Sequence, residues 1–193
     1  MAFDPRQFSR MVVVDTCAVW NILSARKLSL AAFSCGTTFC ITPMVKYECM
    51  HKPRKTNTTQ SETLKGRLQS ALQSNSISIQ HCDLDDLIAV ARLAPSRLSS
   101  GELSCIAMSY RISTIAVMTD EKLARRFSEE KLQLQVQTTP KLYGWLHYRR
   151  LLGDSDHSEI VSEHESFERR PLTEFFNIAY ETALQYRLKD QTP

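Results

Sequence analysis

The sequence predicts a three-layer α/β/α fold, in which helices cover both faces of a central, parallel, five-stranded sheet. The first observation behind this is that short β-type runs alternate with helical patterns along most of the chain. Such alternation is typical of parallel strands joined by right-handed helical crossovers. The second is the length of 193 residues, which is enough for one α/β domain with a full hydrophobic core.

Five short runs are predicted to be strands, because each is rich in β-branched residues or alternates apolar with polar residues. They cover residues 11–15, 39–42, 76–81, 115–118 and 134–138. Helical patterns lie between and after them, at residues 16–30, 43–51, 62–74, 84–94, 101–111, 121–130, 141–152 and 172–188. The polar segments 52–61 and 153–170 are predicted to be loops.

Local sequence signals support several of these helices. Thr42 followed by Pro43 is typical of a helix N-cap with proline at the first helical position. Ser99 and Glu102 have the spacing of a capping box at the start of the helix at 101–111. The helix at 84–94 carries an apolar face with helical spacing, formed by Leu84, Leu87, Ile88 and Ala91.

The character of the chain changes after Thr139 and Pro140, so we expect one domain over residues 1–145 and a helical C-terminal extension over residues 146–193. The last predicted helix carries an apolar stripe, formed by Leu172, Phe175, Phe176, Ala179, Tyr180 and Ala183. That stripe suits a helix that packs on the core, or one that contacts a second copy or another partner. Both interpretations are left open here.

Composition excludes several classes of protein. Charged residues make up 23% of the chain and the net charge is only +3, so overall charge does not identify a partner. No apolar stretch approaches the roughly 18 residues of a membrane span, and the N-terminus does not resemble a signal peptide. The six cysteines form no Cys-x-x-Cys pair. We therefore expect a reduced, cytoplasmic protein with no membrane partner.

Four carboxylates occur where the predicted elements begin or end. Asp15 and Asp120 each close a β-type run, whereas Glu48 and Glu102 fall within or at the start of helical patterns. Strand ends and the starts of the following helices meet at one edge of a parallel sheet. Acids gathered there would repel one another unless a cation joined them, and carboxylates suit Mg²⁺ or Mn²⁺. The pattern therefore predicts a metal-dependent enzyme that acts on phosphate.

The four segments that carry these acids resemble the PIN domain, a family of metal-dependent ribonucleases. They are residues 12–17 (VVVDTC), 42–48 (TPMVKYE), 99–107 (SSGELSCIA) and 117–120 (VMTD). The resemblance covers roughly residues 10–145, so the first domain is expected to be a PIN-like nuclease domain. It implies that Asp15, Glu102 and Asp120 bind Mg²⁺ or Mn²⁺ directly or through water, and that Glu48 completes the catalytic cluster.

The same resemblance implies supporting roles for three further residues. Thr16 and Thr119 match hydroxyl positions near the metal or the scissile phosphate, and Glu121 is a candidate for an additional acid behind the ligands. Glu102 has a second interpretation as a capping-box residue, which is compatible with metal binding.

Basic residues near the acidic segments are candidates for binding the phosphates on either side of the cut. The first group is Lys52, Arg54, Lys55, Lys65 and Arg67, and a weaker pair is Arg125 and Arg126. Fixed cations contact the nucleic-acid backbone in a sequence-independent way. A solvated loop explains residues 52–61 equally well.

Together these features predict a metal-dependent endoribonuclease whose partner is an RNA substrate. Family resemblance and chain size imply the toxin of a toxin–antitoxin pair, with a protein antitoxin as partner, and a homodimer is left open. Two alternatives are a catalytically inactive PIN-like module that binds RNA or protein, and a structure-specific DNA nuclease.

Overall fold

Five parallel strands form one central sheet in the computed structural model, which describes residues 3–53, 58–167 and 172–190. The strands are β1 (Met11–Val14), β2 (Thr38–Ile41), β3 (Ile77–Ile79), β4 (Ala116–Met118) and β5 (Val136–Gln137). Their order is β3-β2-β1-β4-β5, and every neighbouring pair is parallel. The predicted five-stranded parallel sheet is confirmed.

The strand β1 lies at the centre of the sheet and explains why its sequence is a continuous apolar run. Val13 pairs with Cys40 of β2 on one side and with Val117 of β4 on the other. Val12, Val13 and Val14 are fully buried, as expected for a parallel strand that is covered on both faces. The residue after Val14 therefore emerges at the middle of the carboxyl edge.

Helices fill the outer layers and the C-terminal extension, as predicted. They are α1 (Thr16–Ser24), α2 (Arg26–Ser34), α3 (Pro43–Met50), α4 (Thr59–Gln73), α5 (Leu84–Leu93), α6 (Ser100–Arg111), α7 (Lys122–Arg126), α8 (Thr139–Tyr148), α9 (Asp156–Phe167) and α10 (Thr173–Lys189). A π-helical turn, Phe127–Lys131, follows α7. Within the described chain, no helix is both long and apolar enough to span a membrane.

The single helix predicted at 16–30 is wrong, because the structure divides it into α1 and α2 at Ala25. Ala25 has an extended backbone (φ −115, ψ 124), although alanine favours helix. The side chain of Arg67 donates to the carbonyls of Leu23 and Ser24, at 2.7 and 3.0 Å. These bonds satisfy carbonyls that the end of α1 leaves without helical partners. A tertiary contact thus accompanies a break that no local signal predicts.

The loop predicted at 153–170 is also wrong, because α9 occupies most of it. Its anchor is His164, which is fully buried and whose pKa burial lowers to about 4, so the ring is neutral. Nε2 accepts from the backbone N–H of Leu172 at 2.9 Å, and Nδ1 lies 2.6 Å from the Ser24 hydroxyl. The sequence shows no apolar helical pattern here, because α9 buries only Ile160 and His164.

The apolar stripe of α10 mainly packs on the core, and α8 is its principal neighbour. Phe176, Ala179 and Ala183 are buried, whereas Phe175 is 57% exposed. The core-packing interpretation of the stripe is therefore correct for these three residues. The expected domain division after residue 145 falls inside α8, and that division stays a prediction.

Gly144 allows the close approach of α8 to α10. A Cβ atom built at this position would lie 3.0 Å from the carbonyl oxygen of Ala179 and 2.5 Å from Cζ of Phe3. The Phe3 ring can rotate away, but the carbonyl belongs to the backbone of a packed helix. A side chain at position 144 would therefore push α10 outward.

We predict that Gly144→Ala and Gly66→Ala change stability in opposite directions. Gly66 is a matched control, since it lies in α4 and a Cβ atom added to it would meet nothing within 4 Å. Gly66→Ala should gain roughly 0.5–1 kcal/mol from helix propensity. Gly144→Ala should lose about 1–3 kcal/mol through overpacking. Urea unfolding measures both, and equal gains would contradict the close-packing argument.

Candidate active site

Asp15 lies at the centre of the carboxyl edge, directly after β1, and its side chain is fully buried. Its backbone N–H donates to the carbonyl of Met118 at 3.0 Å, which fixes it beside β4. Oδ1 caps α1 by accepting from the N–H of Ala18 at 2.8 Å. Among the described residues no donor meets hydrogen-bond geometry to Oδ2, although the Thr119 hydroxyl lies near this carboxyl.

The surroundings of Asp15 disfavour its charge. Burial, together with the nearby charges of Asp120 and Glu102, raises the pKa of this carboxyl to about 8. The Thr119 hydroxyl and the N–H of Ala18 oppose the rise without cancelling it. In the absence of a cation, Asp15 therefore holds its proton at neutral pH.

Asp120 follows β4 and is held in one orientation by three donors. Oδ1 accepts from the backbone N–H of Thr139 at 2.8 Å. Oδ2 accepts from the hydroxyl of Thr139 and from Nδ2 of Asn21, the latter at 2.7 Å. Burial raises the pKa of Asp120, while these donors and the nearby Arg125 limit the rise.

Glu48 projects from α3 and is a fixed, ionised carboxylate. Oε2 accepts from the Thr16 hydroxyl at 2.6 Å, and Oε1 accepts from the Ser100 hydroxyl and the N–H of Gly101, at 3.1 and 3.0 Å. Burial alone would raise its pKa, but these donors hold the pKa below its ordinary value. A Cβ at position 101 would lie 2.6 Å from Oε2 of Glu48, so glycine there lets Glu48 keep this position.

Glu102 combines a structural contact with a place in the acidic cluster. Its Oε2 accepts from the N–H of Ser99 at 2.6 Å, and its own N–H donates to the Ser99 hydroxyl at 3.2 Å. The predicted capping box is thus confirmed. Burial, followed by the charges of Glu121 and Glu48, raises the pKa of Glu102. The backbone bond uses Oε2, which leaves Oε1 as the oxygen that faces a ligand most freely.

The three predicted supporting residues also lie at this edge. Thr16 donates to Glu48, and Thr119 approaches Asp15 while its hydroxyl accepts from the N–H of Glu121 at 3.2 Å. The side chain of Glu121 is exposed, but it is near enough to raise the pKa of Glu102.

The residues of this edge fit a hard divalent cation, although the described part of the chain contains no group of three His, Cys, Asp or Glu side chains already arranged around a metal position. Asp15 Oδ2 is buried with no hydrogen-bond donor, in the field of two further acids. A buried carboxylate in that setting is costly unless a cation balances it. The available donors are all carboxylate oxygens, which suit Mg²⁺ or Mn²⁺.

Those basic residues of the segment 52–67 that the structure describes lie in different surroundings. Lys52 is exposed and close enough to help lower the pKa of Glu48. Arg54 and Lys55 lie outside the described residues. Lys65 pairs with Glu62 at 2.8 Å on the surface of α4.

Arg67 has a structural contact that competes with the predicted RNA-binding role. Its guanidinium bridges the end of α1 to Glu163 of α9, with an Nη2–Oε1 distance of 2.7 Å. Phosphate binding would have to compete with these bonds, and the assignment of Arg67 as an RNA contact stays a prediction.

Arg125 and Arg126 also differ in environment. Arg125 is near enough to Asp120 to lower its pKa, whereas Arg126 pairs with Glu130 at 3.1 Å. Arg125 is therefore the cation of this pair that lies beside the acids.

Sequence reasoning missed Asn21, Gly101 and Thr139, which hold the acids in place. Asn21 is buried in α1, the helix that Asp15 caps. A polar residue within this mostly apolar helix was a signal that the sequence offered. Gly101 lies in the first turn of α6, where the helical backbone does not require glycine, so its presence was a signal of a close contact. Thr139 is the first residue of α8, directly after the N-cap Thr138. A second threonine is not needed to cap the helix, and this was a signal for another role.

Comparison with known families agrees with this architecture. A family model described as a PIN domain matches residues 11–163, which include all four acids and extend through α8 into α9. Among curated proteins, none matches the chain. The matched region covers most of the sequence, and it contains the parallel sheet with the acids at its carboxyl edge. The chain therefore belongs to the PIN-domain family and has a fold of the nuclease type.

Proposed function

We propose that this protein is a Mg²⁺- or Mn²⁺-dependent endoribonuclease that hydrolyses phosphodiester bonds of RNA. The observation that carries the proposal is the buried Oδ2 atom of Asp15, which lacks a hydrogen-bond donor and lies beside Asp120 and Glu102. A folded domain keeps such an arrangement at a cost to stability, and a bound divalent cation removes the cost. The choice of RNA rests on the family resemblance.

Asp15 Oδ2 and Glu102 Oε1 are the atoms that would bind the ion directly, because hydrogen bonds occupy their partner oxygens. Asp120, which Thr139 and Asn21 hold rigidly, would bind it directly or through water. A bound divalent ion makes an attacking water more acidic and neutralises charge that develops on the phosphate.

Glu48 has a different role, because three donors already occupy it. It accepts a hydrogen bond from the Thr16 hydroxyl, so the lone pairs of Thr16 Oγ1 remain to accept another hydrogen bond. Glu48 thereby orients Thr16 as an acceptor for water or for a ribose hydroxyl, and its charge remains in place at neutral pH. It is a positioning residue in this mechanism.

Cleavage should depend on a divalent cation. Incubation of the protein with a mixed-sequence single-stranded RNA should give products with Mg²⁺ or Mn²⁺ and none with EDTA, and activity should return when the ion is restored. Gel electrophoresis of end-labelled RNA measures this, with Asp15→Asn as the inactive control. Full cleavage in EDTA would contradict the metal-dependent mechanism. RNA binding without cleavage in any metal would favour the inactive-module alternative, and preferential cleavage of branched DNA would favour a DNA nuclease.

Asp15→Asn should stabilise the metal-free protein, and the gain should grow with pH. The folded pKa of about 8 exceeds the ordinary value of 3.8, so the stability contributed by the bound proton is complete below about pH 4. That contribution is lost as the pH rises towards 8, at about 1.4 kcal/mol per pH unit at most. Asparagine keeps the N-cap of α1 and has no proton to lose.

The measurement is urea unfolding in EDTA at pH 5 and pH 8. We expect the gain of Asp15→Asn over the unaltered protein to be at least about 1 kcal/mol larger at pH 8. The matched control is Asp85→Asn, which alters an exposed carboxylate in α5. A variant that is strongly destabilised at both pH values would assign Asp15 a purely structural role.

Gly101→Ala should impair cleavage while the fold is retained. The new methyl group would displace Glu48, which then loses its bonds to Thr16 and to the N–H at position 101. Misplacement of a positioning group by about 1 Å lowers rates by roughly 100-fold. The readout is kcat on the RNA substrate with circular dichroism as a check on folding, and Gly66→Ala serves as the control. Unchanged kcat would remove Glu48 from the mechanism.

A further inference from the structure

A groove of about 900 Å³ follows the exposed edge of the sheet at β5. Its walls come from the N-terminal segment before β1, from the beginning of α8 and from α10, and Asp120 contributes to its lining. We propose that this groove binds a single polynucleotide strand and leads it to the acidic edge of the sheet. The inference rests on the proposed function, because it names the form of substrate that the same site would take.

The groove carries more positive than negative charge. Its cationic residues are Arg6, Arg10, Arg125, Lys141 and Arg149, against the carboxylates of Asp4 and Asp120. Asp4 is neutralised within the groove, since Arg6 pairs with it at 2.8 Å. Across the described ranges, Arg10, Arg125 and Arg149 have no carboxylate partner within ion-pair distance. These cations are therefore available to phosphates.

Lys141 adds a cation at the floor of the groove. Its ammonium donates to the carbonyl of Val136 at 3.0 Å, which caps the open side of the edge strand β5. Burial lowers the pKa of Lys141, and the nearby Arg125 lowers it further. A phosphate in the groove would stabilise the charged form of Lys141.

Aromatic and apolar side chains line the groove together with these cations. Phe175 and Ile178 of α10 are 57% and 53% exposed, although the neighbouring Phe176 and Ala179 are fully or nearly fully buried. The Phe8 ring, which also lines the groove, stacks on the buried Trp145 at 5.4 Å. Phe175 is thus the exposed ring of the groove, and an exposed ring near cations is an arrangement on which a base stacks while phosphates bind.

The combination favours a single strand over a duplex or a small ligand. Base stacking on Phe175 requires exposed base faces, which a duplex keeps inside its own stack. The volume is near the top of the range of about 300–1,000 Å³ for small-molecule pockets, and the groove continues to Asp120. A strand that follows the cations would therefore bring a phosphodiester to the acids.

The test measures binding separately from cleavage. Fluorescence anisotropy of a labelled, mixed-sequence single strand is recorded across a salt series in EDTA, with Asp15→Asn as the common background. Parallel measurements with single-stranded DNA and with duplex RNA of the same sequence identify the preferred form. The groove variants are Arg10→Ala/Arg149→Ala and Phe175→Ala. The matched control is Arg26→Ala/Arg92→Ala, two exposed arginines that do not line the groove.

Arg10→Ala/Arg149→Ala should lose two phosphate contacts. The slope of log K against log salt concentration should then become less steep by about 1.4, at roughly 0.7 per contact for a single strand. Phe175→Ala should weaken binding roughly tenfold with little change in slope, and Arg26→Ala/Arg92→Ala should change neither quantity. The duplex should bind more weakly than either single strand. Tighter binding of RNA than of DNA would assign RNA as the ligand, and equal binding would assign single strands of either kind.

An unchanged slope in Arg10→Ala/Arg149→Ala would overturn the proposal and leave the groove to a protein partner. This failure differs from that of the proposed function. If cleavage depends on metal but the salt slope of Arg10→Ala/Arg149→Ala is unchanged, the nuclease function stands and the groove is not the binding site. If the slope changes in this variant but no metal supports cleavage, the groove binds the strand and the nuclease function is wrong.

Discussion

The constraint on which the rest of the structure depends is the burial of Asp15 at the end of the central strand. Because β1 has a strand on each side and helices above and below, the side chain of the residue that follows Val14 is buried. Its carboxyl lies near two other acids, so a proton or a cation must balance it. The sheet thereby creates both a cost in stability and a site for a divalent ion, and ion binding would recover the cost.

The four acids are not equivalent, and the difference is in their hydrogen bonds. Glu48 has enough donors to remain ionised, and Asp120 is held by the side chain and backbone of Thr139 together with Asn21. Glu102 uses one oxygen to start α6. Only Asp15 and Glu102 keep an oxygen without a described donor, so orientation and ligand binding are assigned to different side chains. This separation lets the edge be rigid before any ion arrives.

The C-terminal helices pack against the elements that carry this edge. Through His164 and Arg67, α9 is joined to α1, the helix that Asp15 caps. Gly144 lets α10 approach α8, and α8 begins at Thr139, a partner of Asp120. The wall of the β5 groove is therefore tied to the acidic site by continuous packing. The same helix that completes the core leaves Phe175 exposed towards the groove.

The sequence by itself determined the parallel sheet, the position of each strand to within a few residues, and the presence of all four acids at its carboxyl edge. These follow from local periodicity and from topology, which require no knowledge of distant contacts. Only the tertiary structure decided the break at Ala25, the helix at 156–167 and the partners of the acids. Each depends on residues far apart in sequence, such as Arg67 at the end of α1 or Thr139 on Asp120. Local sequence patterns do not predict such pairs, because the two residues meet only when the chain folds.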